Sequence, residues 1–223
     1  MKIIGHIQSD FTTKFGIPRQ SGIVKEIRGK IILEKEYRVA EAFRELEGFS
    51  HIWLIWQFSE AVRDNWRPTV RPPMLGGNTR VGVFATRSPY RPNSIGLSAV
   101  RLEKIEYTAD LGPVLHVSGA DLMNGTPIYD IKPYLPFADS IPDATDGFAG
   151  KAVRQKLTVD FPEHLREIIP AEKLDALIAV LADDPRPTYI DDPERIYGLT
   201  FGGYEIKFTV RSNTLTVIKT EKA

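Results

Sequence analysis

The first 137 residues contain many short apolar segments and only one short helical pattern. The segment HIWLIWQF at residues 51–58 is apolar almost throughout, as is typical of a strand buried on both faces. Further strand patterns lie at residues 2–8, 30–33, 97–107 and 114–117. Many short strands with so little helix predict a closed or nearly closed β-barrel, in which Trp53 and Trp56 are interpreted as core residues.

Three weaker patterns complete the prediction for this part of the chain. Residues 22–27 and 81–85 are predicted as strands because apolar residues dominate both segments. Val39, Ala42, Phe43 and Leu46 follow the i, i+3, i+4, i+7 spacing of one helix face. This stripe predicts a helix of about two turns that ends at Gly48.

The pattern changes after residue 137. Residues 138–155 are rich in alanine, aspartate and glycine and are predicted to be a linker or arm. Residues 156–223 combine one helical stripe, Leu174 to Leu181, with strands that alternate across Gly202-Gly203. The chain is therefore predicted to be mainly β, with a barrel over residues 1–137 and a small α+β domain over residues 156–223.

Composition excludes several classes of protein. The chain has no cysteine, which removes disulfides, thiolate metal ligands and a cysteine nucleophile and favours a reducing compartment. The N-terminal segment MKIIGHIQSDF has no long apolar region, and no window reaches the length of a membrane span. A cytoplasmic protein with no membrane partner is expected. The four histidines are scattered, so no metal site is expected.

Positive charge is concentrated in one region although the formal net charge is zero. Residues 63–101 contain seven arginines, no lysine and one acid, Asp64; the arginines are Arg63, Arg67, Arg71, Arg80, Arg87, Arg91 and Arg101. Trp66 and Tyr90 lie among them. Arginine binds phosphate and carboxylate and stacks on flat rings, and interleaved aromatic residues fit RNA or a nucleotide. The alternative is a solvated surface that happens to favour arginine.

The segment GGNTRVGVFATRSPYRPNSIGL, residues 76–97, places a stiff cationic loop between two apolar runs. The loop itself has two prolines (Pro89, Pro92), two arginines (Arg87, Arg91) and one tyrosine, which is typical of a binding loop on a rigid scaffold. An ordinary proline-rich connection is the alternative. The chain has no GxGxxG, GxxxxGK[ST], HExxH or GxSxG motif. The residues alone thus predict an arginine-lined pocket for a nucleotide, a phosphate or a carboxylate.

Four motifs, FGIPRQ, WRPTVRPPMLGG, GVFATRSPYRPNSIGLS and DLMNGTPIYDIKPYLPFADSIPDA, closely resemble the TsaA-like family. The resemblance covers roughly residues 3–145, and DPRPTY with the final strands resembles the second domain of its bacterial members. It implies S-adenosylmethionine-dependent methylation of N6 of threonylcarbamoyladenosine at position 37, beside the anticodon of threonine tRNA. It also implies a barrel catalytic domain instead of a Rossmann-like methyltransferase fold, and a homodimer.

Carried over by motif position, the resemblance implies a set of cofactor-binding residues from four segments. They are Pro18, Arg19, Gln20, Ser59, Glu60, Arg87, Leu97, Ser118, Gly119, Ala120 and Asp121. Within IYDIKPY, Asp130 and Tyr134 are candidates for orienting the adenine amine. Arg71, Arg91 and Lys132 are candidates for binding the threonyl carboxylate or the phosphates of the anticodon loop. The alternative for Asp130 and Tyr134 is a structural hydrogen-bond cluster that closes the barrel.

Two other hypotheses stay open beside the tRNA methyltransferase. In one, the chain is a non-enzymatic nucleotide- or RNA-binding barrel; in the other, it methylates a different substrate. The second domain could hold the dimer, grip the anticodon stem, or both. It carries eleven basic and twelve acidic residues from residue 151 onward, which argues against a strong RNA grip of its own.

Overall fold

The computed structural model describes residues 1–62, 65–151, 156–186 and 192–223. The strands are β1 (Gly5–Ser9), β2 (Arg28–Leu33), β3 (His51–Gln57), β4 (Thr69–Val70), β5 (Val81–Gly82), β6 (Ile95–Thr108), β7 (Gly112–Ser118), β8 (Pro127–Pro133), β9 (Thr158–Asp160), β10 (Tyr197–Phe201), β11 (Tyr204–Arg211) and β12 (Thr214–Lys222). The α-helices are α1 (Pro136–Asp139), α2 (Glu163–Arg166) and α3 (Ala171–Ala182). Arg63, Asp64, the last residues of the predicted linker (152–155) and the end of DPRPTY (187–189) lie outside the described residues.

Strands β1, β2, β7, β6, β3 and β8, in that order, form a closed antiparallel barrel. It closes where β1 pairs with β8, with Gly5 opposite Ile128. Along β3, Ile52, Leu54 and Trp56 are buried, and the residues between them are partly buried. The predicted mainly β fold with a closed barrel is therefore confirmed. Every helix within the described ranges is too short or too polar to cross a lipid bilayer.

The stripe at residues 39–46 does not form the predicted α-helix. The chain makes short 3₁₀ turns instead, at Lys35–Tyr37, Ala40–Phe43 and Leu46–Gly48. Glu45 interrupts them because its backbone is left-handed, with a φ of 68°. Phe43 is buried but Val39 is 49% exposed, so no continuous apolar face is available to stabilise a helix.

Two predicted strands are wrong, one wholly and one in part. Residues 22–27 form turns, and Val24 and Ile27 are apolar because they are buried there and not because they belong to a ladder. Of residues 81–85, only Val81–Gly82 is a strand, paired with β4. The following 3₁₀ turn, Val83–Ala85, buries Val83 and leaves Phe84 74% exposed.

The C-terminal part is a four-stranded sheet in the order β10-β11-β12-β9. The predicted strands on either side of Gly202-Gly203 are present as β10 and β11, and β12 pairs with β11. Strand β9 extends the sheet by pairing in parallel with β12. The hairpin turns at Gly202-Gly203, whose φ angles of 59° and 88° suit glycine. Leu177 and Leu181 of α3 are fully buried against the sheet. The boundaries at residues 137 and 156 stay predictions.

The described residues form two hydrophobic cores. The barrel core contains Ile31, Leu54 and Leu115, and the C-terminal core contains Leu177 and Leu199. The connection between β1 and β2, residues 10–27, belongs to the C-terminal core through its buried residues Phe11, Val24 and Ile27. A loop of the barrel is therefore packed by the second part of the chain.

Candidate functional site

One end of the barrel opens into a cleft of about 490 Å³, which we call the barrel cleft. The β1–β2 connection, the end of β3, the start of β6 and the β7–β8 connection meet there because neighbouring barrel strands run antiparallel. Its lining includes Pro18, Arg19, Gln20, Trp56, Ser59, Glu60, Arg87, Leu97 and Asp121. The volume lies within the range of about 300–1,000 Å³ that small-molecule sites occupy.

Asp121 supplies a largely buried carboxylate to this cleft. The Ser98 hydroxyl donates to its Oδ1 at 2.5 Å, and the Trp56 indole N–H donates to the Ser98 oxygen at 2.9 Å. Burial raises the pKa of the Asp121 carboxyl above its ordinary value, against the opposing effects of the Ser98 hydrogen bond and the Arg87 charge. The acid is thus fixed in place and poorly solvated, so a ligand that donates hydrogen bonds or carries positive charge would stabilise its ionised form.

An apolar wall lies beside this carboxylate. The Trp56 indole packs directly across Gly96, where a Cβ atom would lie 2.2 Å from the ring. Phe58 packs on Trp56 with ring centroids 4.2 Å apart. Leu97, on the outer face of β6, is 53% exposed and lines the cleft. These side chains offer a surface for a flat or aliphatic ligand group.

Arg87 and Gln20 form a wall shared with a second cleft. The Arg87 guanidinium donates to Gln20 Oε1, and the Gln20 amide donates to the Arg19 carbonyl oxygen. Both residues line both clefts. At the other side of the barrel cleft, Glu60 is paired with Lys14 at 3.1 Å.

The second cleft, of about 1010 Å³, is lined mainly by the arginine-rich segment, and we call it the arginine cleft. Its arginines are Arg19, Arg67, Arg71, Arg80 and Arg87, and Asp146 adds a carboxylate. Phe84 also lines it and stacks on Trp66 with centroids 5.9 Å apart and planes inclined by 27°. Guanidinium groups beside exposed aromatic rings suit a polyanion that carries flat bases.

The barrel cleft brings together eight of the eleven residues implied for the cofactor: Pro18, Arg19, Gln20, Ser59, Glu60, Arg87, Leu97 and Asp121. Ser118, Gly119 and Ala120 are not in its lining. The Ser118 hydroxyl donates to Glu103 Oε1 at 2.5 Å, and Ala120 is buried in the barrel core. This turn therefore places the Asp121 side chain, and direct cofactor contacts from the other three residues stay predictions.

The other predicted residues are more dispersed. Arg71 lines the arginine cleft. Arg91 lines the barrel cleft, but its guanidinium donates to the carbonyl oxygens of Val83 and Thr86 and so holds its own loop. Asp130 pairs with Lys132 at 3.1 Å, and neither residue lines either cleft.

Asp130 lies opposite Ile55, which lies opposite Leu97, so these three residues form one row across β8, β3 and β6. Because neighbouring strands are about 4.8 Å apart, Asp130 is about 10 Å from Leu97 along this row. Tyr134 is further from the cleft and packs on Trp53, with ring centroids 5.5 Å apart. A role for Asp130 or Tyr134 at the reacting atoms stays a prediction.

Sequence reasoning missed three contributors to the clefts. Trp56 was expected to be only a core residue, yet it is both buried and part of the cleft lining. Ser98 is a polar residue in an apolar strand, which was a usable signal because a buried hydroxyl needs a partner. Phe84 was placed in a strand.

Within the described residues, no group of three or more His, Asp or Glu side chains could hold a metal ion.

The fold and the clefts define a class of protein. It is a closed antiparallel barrel with a cleft at one end that could hold a small polar molecule, beside an arginine-lined cleft that suits an anionic partner. The model of the tRNA-methyltransferase O N-terminal domain matches residues 6–140, and that of the TrmO C-terminal domain matches residues 154–223. The chain therefore belongs to the tRNA-methyltransferase O family, which confirms the resemblance found in its motifs.

Individual relatives agree with this assignment. The chain is 44% identical over 214 residues to the tRNA (adenine(37)-N6)-methyltransferase of Escherichia coli K12, covering 93% of this chain and 90% of that protein. It is 42% identical to the putative S-adenosylmethionine-dependent methyltransferase RcsF of Pseudomonas aeruginosa, covering 88% and 86%. A crystal structure of TrmO from Pseudomonas aeruginosa superposes with a TM-score of 0.80 at 33% identity, covering 98% and 97%.

Proposed function

We propose that this chain is an S-adenosylmethionine-dependent methyltransferase that modifies N6 of adenine 37 in tRNA. The observation that carries the proposal is the barrel cleft, which assembles residues from four separate segments around the buried Asp121 carboxylate. The Escherichia coli relative that covers most of the chain is named for the same activity.

The residues of the barrel cleft fit this cofactor. S-adenosylmethionine combines a sulfonium cation and an ammonium group with an adenine ring, a ribose and a carboxylate. The Asp121 carboxylate would accept hydrogen bonds from donor groups of the cofactor, and Leu97 would cover its adenine ring. Arg19 or Arg87 would bind the carboxylate of the cofactor. When bound, the cofactor supplies an activated methyl group.

The chain's own residues would act mainly by positioning. The exocyclic amine of adenine is a weak nucleophile because its lone pair is delocalised into the ring, so alignment matters, and alignment can contribute roughly 7–11 kcal/mol in favourable cases. A base held in the arginine cleft would meet the barrel cleft at the shared wall of Gln20 and Arg87. Asp130 and Tyr134 remain candidates for orienting the amine, which requires a substrate that extends along the outer face past Leu97.

The substrate in this proposal is threonylcarbamoyladenosine in the anticodon loop of threonine tRNA. Arg71 is suited to its threonyl carboxylate or to a neighbouring phosphate, because it lies among the cations of the arginine cleft. Arg91 and Lys132 are kept as weaker candidates for the same groups. We further propose that the protein acts as a homodimer in the cytoplasm. A chain without cysteine suits a reducing compartment, and a tRNA substrate is found there.

Calorimetric titration with S-adenosylmethionine, S-adenosylhomocysteine and ATP tests the cofactor. We expect the first two to bind and ATP to bind far more weakly. If a folded preparation binds neither of the first two, the chain is a non-enzymatic nucleotide- or RNA-binding barrel instead.

Transfer of a labelled methyl group tests the substrate. Threonine tRNA with and without the threonylcarbamoyl group should be compared, and we expect methylation at position 37 only when that group is present. Equal methylation of both tRNAs would contradict the proposed role of the carboxylate. Cofactor binding without methylation of either tRNA would point to a different substrate.

A further inference from the structure

The loop that carries Pro18, Arg19 and Gln20 into the barrel cleft has little regular structure of its own. Residues 10–27 connect β1 to β2 through turns and bends. The buried apolar residues of this loop, Phe11, Val24 and Ile27, pack in the C-terminal core and not in the barrel core. One side of the loop therefore faces the cleft, and the other side is part of the C-terminal domain. We call residues 10–27 the cofactor loop.

A compact polar cluster fixes the start of this loop. Lys173 of α3 donates to Asp10 Oδ1 at 2.5 Å and to the Gly202 carbonyl oxygen at 3.2 Å. The Gly202 N–H donates to the Asp10 carbonyl oxygen at 2.8 Å. The side chains of Lys173 and Asp10 are only 28% and 21% exposed, so solvent screens their attraction less than it would on an open surface.

The surrounding packing leaves little freedom at this junction. A Cβ atom on Gly202 would lie 2.8 Å from Lys173 Nζ, and Gly202 also has a positive φ of 59°. Phe11 packs edge-on against Phe201 with centroids 5.3 Å apart. The hairpin between β10 and β11 therefore packs closely against the first residues of the cofactor loop.

A second contact lies directly before the cleft residues. Gly16 has a φ of 88°, and a Cβ atom there would lie 2.2 Å from Leu199 Cδ1, so the loop backbone lies directly on β10. Ile17, Pro18 and Arg19 then border a small crevice of about 40 Å³ with Val180 and Asp183 at the end of α3. The backbone that presents Pro18 and Arg19 is therefore supported from the C-terminal side.

We propose that the C-terminal domain positions the cofactor loop, with Asp10 and Lys173 as positioning residues for cofactor binding. This inference rests on the proposed function, because it takes the barrel cleft as the S-adenosylmethionine site. Neither Asp10 nor Lys173 lines the barrel cleft. Their effect on the cofactor would pass through the conformation of residues 10–27.

The test uses the full chain and the substitution Lys173→Met, which removes the donor and keeps the aliphatic stem. If the loop then keeps its cleft-forming conformation about a tenth of the time, the apparent Kd for S-adenosylmethionine rises about tenfold. The KM for the cofactor should rise similarly, with kcat at saturating cofactor nearly unchanged. Amide exchange should increase in peptides covering residues 12–22 and stay unchanged in β3 and β6.

Two matched controls separate positioning from general damage. Lys219→Met removes another lysine paired with an acid, 2.7 Å from Glu221 on an exposed part of β12. Val159→Ala weakens the same C-terminal core at β9, the sheet edge opposite β10. Neither control should change the cofactor Kd. If Lys173→Met does not fold, Asp10→Asn replaces it and should give a smaller rise, because the amide oxygen still accepts from Lys173.

The outcomes distinguish the two proposals. Wild-type protein that does not bind S-adenosylmethionine overturns the proposed function, and loop exchange in the Lys173→Met variant then decides whether the loop is positioned from α3. Wild-type protein that binds, with a Lys173→Met variant of equal affinity and equal loop protection, overturns the inference alone. A Val159→Ala variant that weakens binding as much as Lys173→Met also overturns it.

Discussion

The two clefts share a wall but are built in different ways. The barrel cleft opens at the ends of long barrel strands, where hydrogen bonds of 2.9 and 2.5 Å connect Trp56 to Ser98 and Ser98 to Asp121. The arginine cleft is formed largely by turns, by the two-residue strands β4 and β5 and by 3₁₀ segments. One cleft concentrates a buried acid and apolar surface, and the other concentrates exposed positive charge.

This difference matches two kinds of ligand. A small molecule that must be held in one orientation gains from preorganised groups on a rigid scaffold. A tRNA loop brings many phosphates and bases, so a cationic surface with exposed rings suits it better. Substitutions that affect both clefts, one cleft or neither should therefore separate cofactor binding from tRNA binding.

Arg87→Ala should have the largest effect, because Arg87 lines both clefts and donates to Gln20. We expect loss of detectable S-adenosylmethionine binding and of tRNA methylation, while circular dichroism shows an intact fold. Arg80→Ala is the control, since Arg80 lines only the arginine cleft and should leave cofactor affinity unchanged. An Arg87→Ala variant that binds the cofactor as tightly as wild type would show that Arg87 does not contribute to the cofactor site.

Asp121→Asn should affect the barrel cleft alone and weaken S-adenosylmethionine about 10- to 100-fold, as expected for loss of one hydrogen bond to a charged group. Because its folded-state pKa is raised, the stability that Asp121 contributes is present at low pH and is lost as pH rises through that pKa. The variant should therefore melt at a higher temperature than wild type near pH 7.

Calorimetric melts of the Asp121→Asn variant across the acid range, with titrations at pH 7, measure both effects. Loss of affinity combined with gain in stability would mark Asp121 as a functional residue held at a cost to the fold. Wild-type affinity in this variant would exclude a direct role for the carboxylate in cofactor binding.

Arg71→Ala should affect the arginine cleft alone. We expect weaker tRNA binding, a decrease of about 1 in the slope of log affinity against log salt concentration, and an unchanged cofactor Kd. Fluorescence titrations of tRNA at several salt concentrations provide the slopes. Arg211→Ala is the control, because Arg211, the last residue of β11, is paired with Glu194 and lines neither cleft. Equal slopes for all three proteins would remove Arg71 from the interface.

Ser118→Ala should have the smallest effect on either ligand. Its hydroxyl is the main reason that the pKa of Glu103 is lowered. Because solvent screens this partly exposed carboxylate, the variant should lose at most about 1 kcal/mol of stability at pH 7. Because the Glu103 pKa is depressed, this contribution is present above the ordinary pKa of glutamate, about 4.3, and disappears as pH falls through the folded-state value. Thermal melts at pH 7 and pH 3 measure the change. A large loss of cofactor affinity would instead restore Ser118 as a cofactor ligand.

The barrel was predictable from sequence because most of its strands are short, apolar segments separated by clear turn signals. The hairpin at Gly202-Gly203 and helix α3 were predictable for the same reason. Prediction failed at residues 22–27, where Val24 and Ile27 are buried by contacts that are distant in sequence. It also failed at residues 39–46, where Phe43 is buried but Val39 is exposed. Local periodicity cannot distinguish such burial from a strand or helix.

By itself, the sequence determined the fold class, the family motifs and eight of the residues that line the barrel cleft, because each depends on residue types at fixed positions along the chain. Only the tertiary structure decided that Ser118 faces Glu103, that Trp56 and Ser98 fix Asp121, and that Asp130 lies outside both clefts. It also placed the cofactor loop against α3 and β10. These facts depend on strand register and on contacts between distant segments, which residue order alone does not specify.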